Sequence, residues 1–191
     1  MPPDFLVHEV RRGTPRRITF RPLRDDDLPL MHRWLNDPDV VQWWEGVDVS
    51  WPAVVGRYGS GRSGPIEHWV ALLEGDPCGW AQCYCAADVA EEEAYHWHVH
   101  LELRKTGGID YLVGEPARRN RGTGSAMIRA FVRDVVFARH PEWAFAAAGP
   151  FEANLASWRA LENAGFRRRA VVDDEDGSCV LMVASRDEFQ G

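Results

Sequence analysis

The stretch Arg118-Arg119-Asn120-Arg121-Gly122-Thr123-Gly124-Ser125 constrains this chain more than any other. It follows a short apolar run at residues 109–113 and opens a segment, 122–138, with helical periodicity. Met127, Ile128, Phe131, Val132, Val135 and Val136 fall on one side of that helix, and Arg129, Arg133 and Arg139 fall mostly opposite. Glycines between a strand and a helix let the backbone come close to an anion, and the first helical N–H groups have no ladder partner. Arginines beside the helix start would add charge-assisted contacts to a pyrophosphate. The same residues also suit a solvated glycine-rich loop, and spacing alone leaves both readings open.

The rest of the chain reads as alternating strands and helices. Residues 17–23 alternate as a half-buried strand should. Asp25, Asp26 and Asp27 offer caps and first-turn carboxylates to a helix striped with Leu28, Leu30, Met31, Trp34 and Leu35, which Asp37-Pro38 ends. Residues 40–64 read as a short helix with loops. Residues 66–73 and 78–86 predict a hairpin around the turn at 74–77. The charged stretch 87–106 has no clear pattern. Further on come a small-residue strand at 143–148, a helix at about 152–163 stopped by Gly165, and two closing strands at 166–172 and 178–184 around a turn at 173–177. The order β-α-(α)-β-β-β-α-β-α-β-β predicts an α/β (α+β layered) domain, a mixed central sheet flanked by helices.

Residues 17–191 are expected to form one domain behind a Pro- and Arg-rich arm at 1–16. The net charge of −7 argues against nucleic acid as a partner and suits a cationic ligand. No apolar run approaches the roughly 20 residues that span a bilayer, and no signal sequence is evident, so the expectation is a cytoplasmic protein without a membrane partner. Cys78, Cys83, Cys85 and Cys179 lack CxxC spacing and read as free thiols. His96, His98 and His100 would share a face if they lay on a strand. Exposed or substrate-facing histidines are the preferred reading, and no metal is expected.

The wider pattern Arg119-x-x-Gly122-x-Gly124, followed by Asn154-Leu155 and then Glu162-x-Ala164-Gly165-Phe166, resembles the acetyl-CoA signature and closing turn of the GNAT superfamily of N-acetyltransferases. The resemblance runs from about residue 17 to 184 and implies the GNAT fold. It implies that the strand at 109–113 lends backbone groups to the pantetheine arm of acetyl-CoA, with an N–H of Leu112 or Val113 polarising the thioester carbonyl. Amides from Arg119 to Ser125, helped by the guanidinium groups of Arg118, Arg119 and Arg121, would hold the diphosphate. Asn154 would steady the arm from the other side, or serve only as a polar residue at a helix start.

Within the superfamily the chain is similar to aminoglycoside 6′-N-acetyltransferases. Gly108-Ile109-Asp110-x-Leu112 resembles their GID-x-L strand. Trp34-Leu35-Asn36 with Val41-x-Trp43-Trp44-x-Gly46 resembles their WLN…WW-x-G segment, and Gly79-Trp80-Ala81-Gln82-x-Tyr84 resembles GYAQ-x-Y. The implied acceptor is a small cationic amine, and the implied protein a monomer or homodimer. An amine with pKa near 10.4 is uncharged in about one molecule in 2,500 at pH 7, a cost of roughly 4.6 kcal/mol. Asp110 is the candidate that takes the proton, or else anchors the ammonium. Trp43, Trp44 and Tyr84 are candidate substrate contacts, as are Glu91, Glu92 and Glu93, a run that could equally be solvated.

The chain departs from the family at residue 161. The aminoglycoside enzymes carry a tyrosine there, which returns a proton to the departing thiolate, whereas this chain has Leu161. Helical spacing from Asn154 places residues 157, 158 and 161 on one face, turned toward the cofactor. Water, Ser157 or Tyr111 would have to stand in. Rival readings are a siderophore-type or other lysine-type acyltransferase, a protein N-terminal acetyltransferase, and a non-catalytic CoA sensor, which Leu161 alone favours.

Overall fold

The computed structural model describes residues 17–44, 47–89, 95–174 and 177–190. The arm at 1–16, Gly46 and the run Glu91, Glu92, Glu93 lie outside the described residues. Seven strands, β1 (Ile18–Pro22), β2 (Glu67–Leu73), β3 (Asp76–Cys85), β4 (Thr106–Val113), β5 (Phe145–Ala148), β6 (Arg167–Asp174) and β7 (Gly177–Ser185), form one sheet in the order β1-β2-β3-β4-β5-β7-β6. Neighbours are antiparallel except β4 and β5, which are parallel. The mixed sheet flanked by helices is the architecture expected from the sequence.

Period-two alternation sorts the two faces. One face of β2, β3 and β4 carries Trp69, Ala81, Cys83 and Ile109 into the main core. There they meet Ile128 and Phe131 of α4 (Thr123–Phe131) and Leu161 of α5 (Leu155–Ala164). The other face carries Val70, Trp80 and Leu112 against Met31, Trp34 and Leu35 of α1 (Leu28–Leu35) and Val54 of α3 (Trp51–Tyr58). Between them the short α2 (Pro38–Val41) starts at an Asp37 whose side chain accepts from the Asp39 N–H.

Several boundaries differ from the expectation, each for a local reason. Strand β4 starts at Thr106 because Gly107 and Gly108, poor strand formers in isolation, are made necessary by their neighbours. A Cβ on Gly107 would sit 2.4 Å from the Trp143 ring, and one on Gly108 would sit 2.2 Å from the Tyr84 ring. Beyond α4 the chain widens into a π-helical segment, Val132–Phe137, still apolar toward the core. The unpatterned stretch holds 3-10 turns at Tyr95–Val99 and Leu103–Lys105, so the histidine trio does not lie on a strand. Asp27 stands at the start of α1 without capping it. Its carboxylate instead takes both Arg21 nitrogens at 2.6 and 2.7 Å, and that pairing lowers its pKa. A terminal helix, α6 (Arg186–Gln190), was not signalled by the sequence and is tied down through Arg186, which donates to the Phe137, His140 and Trp143 carbonyls. None of the four cysteines forms a disulfide, as expected.

The pairing of β4 with β5 covers only Thr106↔Phe145, Gly107↔Ala146 and Gly108↔Ala147. Beyond that point the chain leaving β5 follows β7 instead. The Val180 N–H donates to the Pro150 carbonyl and the Glu152 N–H to the Ser178 carbonyl. Among the described residues the sheet therefore splits at its one parallel junction, and the β5-side edge of β4 from Ile109 onward has no strand beside it.

Gly107→Ala is expected to lower the unfolding free energy by about 1–3 kcal/mol through overpacking against Trp143, read as a thermal midpoint lower by several degrees. An unchanged midpoint would show that the ring yields freely.

Candidate active site

The fork opens into a cavity of about 1130 Å³. Asp110 and Tyr111 of β4 line one side, and Gly149, Phe151, Asn154 and Ser157 line the other. Its floor on the α1–α3 face is a row of polar residues across three strands, because His68 is opposite Gln82 and Gln82 opposite Asp110. Gln82 Nε2 donates to Asp110 Oδ2 at 2.7 Å. The Tyr84 hydroxyl also hydrogen-bonds to Asp110. Removal from water raises the Asp110 pKa, and these two donors oppose the rise. A carboxylate held this way is fixed in place and nearer to its working range as a proton acceptor.

Tyr84 departs from the expectation that it contacts substrate. It is buried, and no part of it lines the cavity. Its ring lies flat on Gly108, where a side chain would collide, and its hydroxyl positions Asp110 instead. Trp43 and Trp44 do line the cavity, and Trp43 also borders a smaller cleft with Phe151, Glu152 and Ala153, just before Asn154. Trp44 meets the Trp80 ring edge-on at 6.5 Å. Glu91, Glu92 and Glu93 lie outside the described residues, although Asp88 and Val89 just before them reach the cavity wall.

Sequence reasoning missed Tyr58 and His68. His68 stacks on Trp80 at 5.7 Å and meets Tyr58 at 5.2 Å. Burial, with Arg62 adding to it, drives the His68 pKa down to about 3, so the ring is neutral at working pH. His68 comes across from Gln82 only through a register shift between Ala71 and Leu72, which counting back from the turn does not give.

The glycine loop lies past the end of β4. From Asp110 to Val113 the strand advances about 10 Å at 3.3 Å per residue, a span suited to an extended arm between an anion site and the carboxylate. The Arg118 and Arg119 N–H groups donate to the Glu115 and Pro116 carbonyls, and the ladder of α4 begins with Ala126 N–H to Gly122 O. The amides of Thr123, Gly124 and Ser125 precede that first bond and are the free donors of the helix start. Asn120 and Gly122 both adopt left-handed backbone, at φ +57 and +76. Gly122 needs its missing Cβ for that conformation alone, since nothing lies within 4 Å of it. Arg121 is exposed at the mouth of this loop, and Arg118 is half-buried.

Arg119 departs from its expected role. Its guanidinium is spent inside the protein, on Asp37 at 2.8 Å, Asp39 at 3.1 Å, and the Val113 and Gly114 carbonyls at 3.0 Å each. It straps the loop to the start of α2 and leaves the anion to the amides and the neighbouring arginines. Trp34 reinforces the strap, donating from Nε1 to Glu115 at 3.0 Å while its ring lies against Gly114. The Asn154 carboxamide oxygen caps α5 by accepting from the Ser157 N–H at 3.1 Å, so only its NH₂ is left for a ligand.

Leu161 does not face the fork. It is fully buried in the main core, and the face of α5 that reaches the cavity is that of Asn154 and Ser157. Of the stand-ins named from the sequence, two meet here: the Tyr111 hydroxyl lies 2.8 Å from Ser157 Oγ.

A family model described as the acetyltransferase (GNAT) domain matches residues 24–174. The chain belongs to the GNAT acetyltransferases. Among relatives, the aminoglycoside N(6')-acetyltransferase type 1 of Klebsiella pneumoniae is 30% identical over 183 residues, covering 91% of this chain and 85% of that protein, and its counterpart from Serratia marcescens matches equally. Among solved structures, aminoglycoside acetyltransferase AAC(6')-Ib with coenzyme A superposes with a TM-score of 0.80 at 29% identity, covering 91% of this chain and 98% of that one. The same enzyme with coenzyme A and kanamycin gives 0.79. Among the described residues, no helix is long and apolar enough to cross a membrane.

Arg119→Met is expected to lower the unfolding free energy by about 1–3 kcal/mol, the loss of charge-assisted hydrogen bonds in a half-enclosed setting, read by urea titration. Asp37→Asn should act in the same direction by less. Two unchanged midpoints would remove the strap.

Proposed function

We propose that this acetyltransferase moves the acetyl group of acetyl-CoA onto a primary amine of an aminoglycoside, the 6′ amine, and so confers resistance. The observation that carries the reading is the seat of Asp110: a carboxylate enclosed at the fork, held by Gln82 and Tyr84, on the floor of a cavity with aromatic walls. Relatives named for aminoglycoside acetylation, and related structures solved with coenzyme A and kanamycin, support the same acceptor and donor.

The chain's residues fit a coenzyme A thioester. Amides from Asn120 to Ser125, with Arg118 and Arg121, would hold the diphosphate at the start of α4. The open edge of β4 from Ile109 to Val113 would receive the pantetheine arm through backbone hydrogen bonds, and Leu112 or Val113 would turn an N–H to the thioester carbonyl. The Val113 carbonyl is already engaged by Arg119, which fixes the strand end for that task. The Asn154 NH₂ would steady the arm from α5.

Trp43 and Trp44 would take the faces of sugar rings while Asp110 meets the ammonium. Asp110 accepts the proton that the amine must lose, directly or through a water, as the nitrogen attacks the thioester carbon. Only the ionised carboxylate can accept, so activity rises with pH through the Asp110 pKa, which enclosure lifts above the ordinary value of about 3.9. Glu91, Glu92 and Glu93 would add negative charge for a polycation. A monomer or homodimer in the cytoplasm belongs to the same proposal, which four cysteines outside any disulfide favour as a mark of a reducing compartment.

Thiol release from acetyl-CoA should be seen with kanamycin and be absent with an analogue bearing a 6′ hydroxyl. Equal turnover of both would contradict the regiochemistry. Asp110→Asn should cut kcat by about 10²–10⁴-fold and abolish the acid-side inflection of its pH profile. A retained inflection would assign the base elsewhere.

A further inference from the structure

We infer that Tyr111 is the hydrogen-bond donor to the departing thiolate, a role that residue 161 cannot perform here. The inference rests on the acetyl-CoA reading of the fork. Asp110 and Tyr111 are adjacent on β4 and so point to opposite faces of the sheet, Asp110 toward the α1–α3 side and Tyr111 toward α5. Both line the one cavity, because the fork has removed the strand that would separate them from it. A thioester lying along the open edge of β4 therefore has a carboxylate on one flank and a phenol on the other.

The phenol is held in place. Its O–H donates toward the Ser157 carbonyl at 3.3 Å and its oxygen can accept from Ser157 Oγ–H at 2.8 Å, so it bridges the fork from β4 to the first turn of α5; held by the Ser157 hydroxyl, it can turn its own proton from the long carbonyl contact to sulfur. Burial raises the Tyr111 pKa, and it stays a neutral donor across the working range. Leu161, one turn further along the same helix, is sealed in the core.

The reaction balances without an added acid. The ammonium gives one proton to Asp110, which passes it to water; the freed lone pair forms the C–N bond, and the nitrogen's second proton leaves by the same route as the amide forms. The C–S bond breaks with its electron pair going to sulfur. The Tyr111 O–H donates to that sulfur while charge develops, without giving up its proton, and the thiolate takes a proton from water on release. A weakly acidic phenol suits this task, since full transfer to a thiolate from such a group would be uphill.

The test compares coenzyme A with desulfo-coenzyme A by calorimetry on the wild type and on Tyr111→Phe, at pH 7 and 9.5. A free thiol ionises near about 8.5. Wild type should prefer coenzyme A at pH 9.5 by about tenfold or more, the usual worth of a hydrogen bond to a charged group, and Tyr111→Phe should lose that preference while binding desulfo-coenzyme A as before. With kanamycin, the variant's kcat should fall and its KM for the amine stay level. No preference in the wild type, or the same preference in a folded Tyr111→Phe, would overturn the assignment. The wild-type measurement decides even if the variant fails to fold. Failure of either nucleotide to bind the wild type would instead sink the acetyl-CoA reading, while binding without kanamycin turnover would sink only the aminoglycoside acceptor.

Discussion

The brevity of the β4–β5 pairing is the constraint on which the site depends. Three paired residues anchor the two halves of the sheet, and after Gly108 and Ala147 the strands part. The chain leaving β5 is drawn away by its bonds to β7, where Pro150 offers a carbonyl and, having no N–H, could not have paired toward β4 with one. An unpaired strand edge inside a folded protein is costly unless something satisfies it. Under the proposed function this edge meets an extended arm of amides, whose groups would satisfy its backbone.

Two sets of contacts hold the fork open and aligned. On one side Gly107 and Gly108 let the Trp143 and Tyr84 rings close against β4, which brings the Tyr84 hydroxyl to Asp110. On the other, Arg119, Trp34 and Glu115 bind the glycine loop to α1 and α2. Residues that look like ligand contacts in a motif are thus partly frame.

Much of this was legible in the sequence. The strand-to-helix glycine loop, the hairpin and a polar residue at the start of α5 follow from local spacing, because each is set by neighbours within a few residues, whereas Asp110 stood out through the resemblance of its strand to a family motif. Arg119 and Leu161 were misjudged for the opposite reason. Arg119 meets Asp37 across 82 positions of chain, and helical periodicity gives a shared face without saying whether core or cavity lies against it. Tyr84 shows the same limit: the resemblance of its strand to a family motif put it near the site, but only Gly108 opposite explains why it is buried. His68 meets Gln82 through a register shift between Ala71 and Leu72, and α6 depends on Arg186 and three distant carbonyls; no local pattern announces either.

A crystal structure with coenzyme A and kanamycin bound tests the central claim most directly. The account predicts the diphosphate against the amides of 120–125, the arm along the free edge of β4, and the sulfur between Tyr111 and the amine beside Asp110. A nucleotide seated away from the fork, or an amine remote from Asp110, would contradict it.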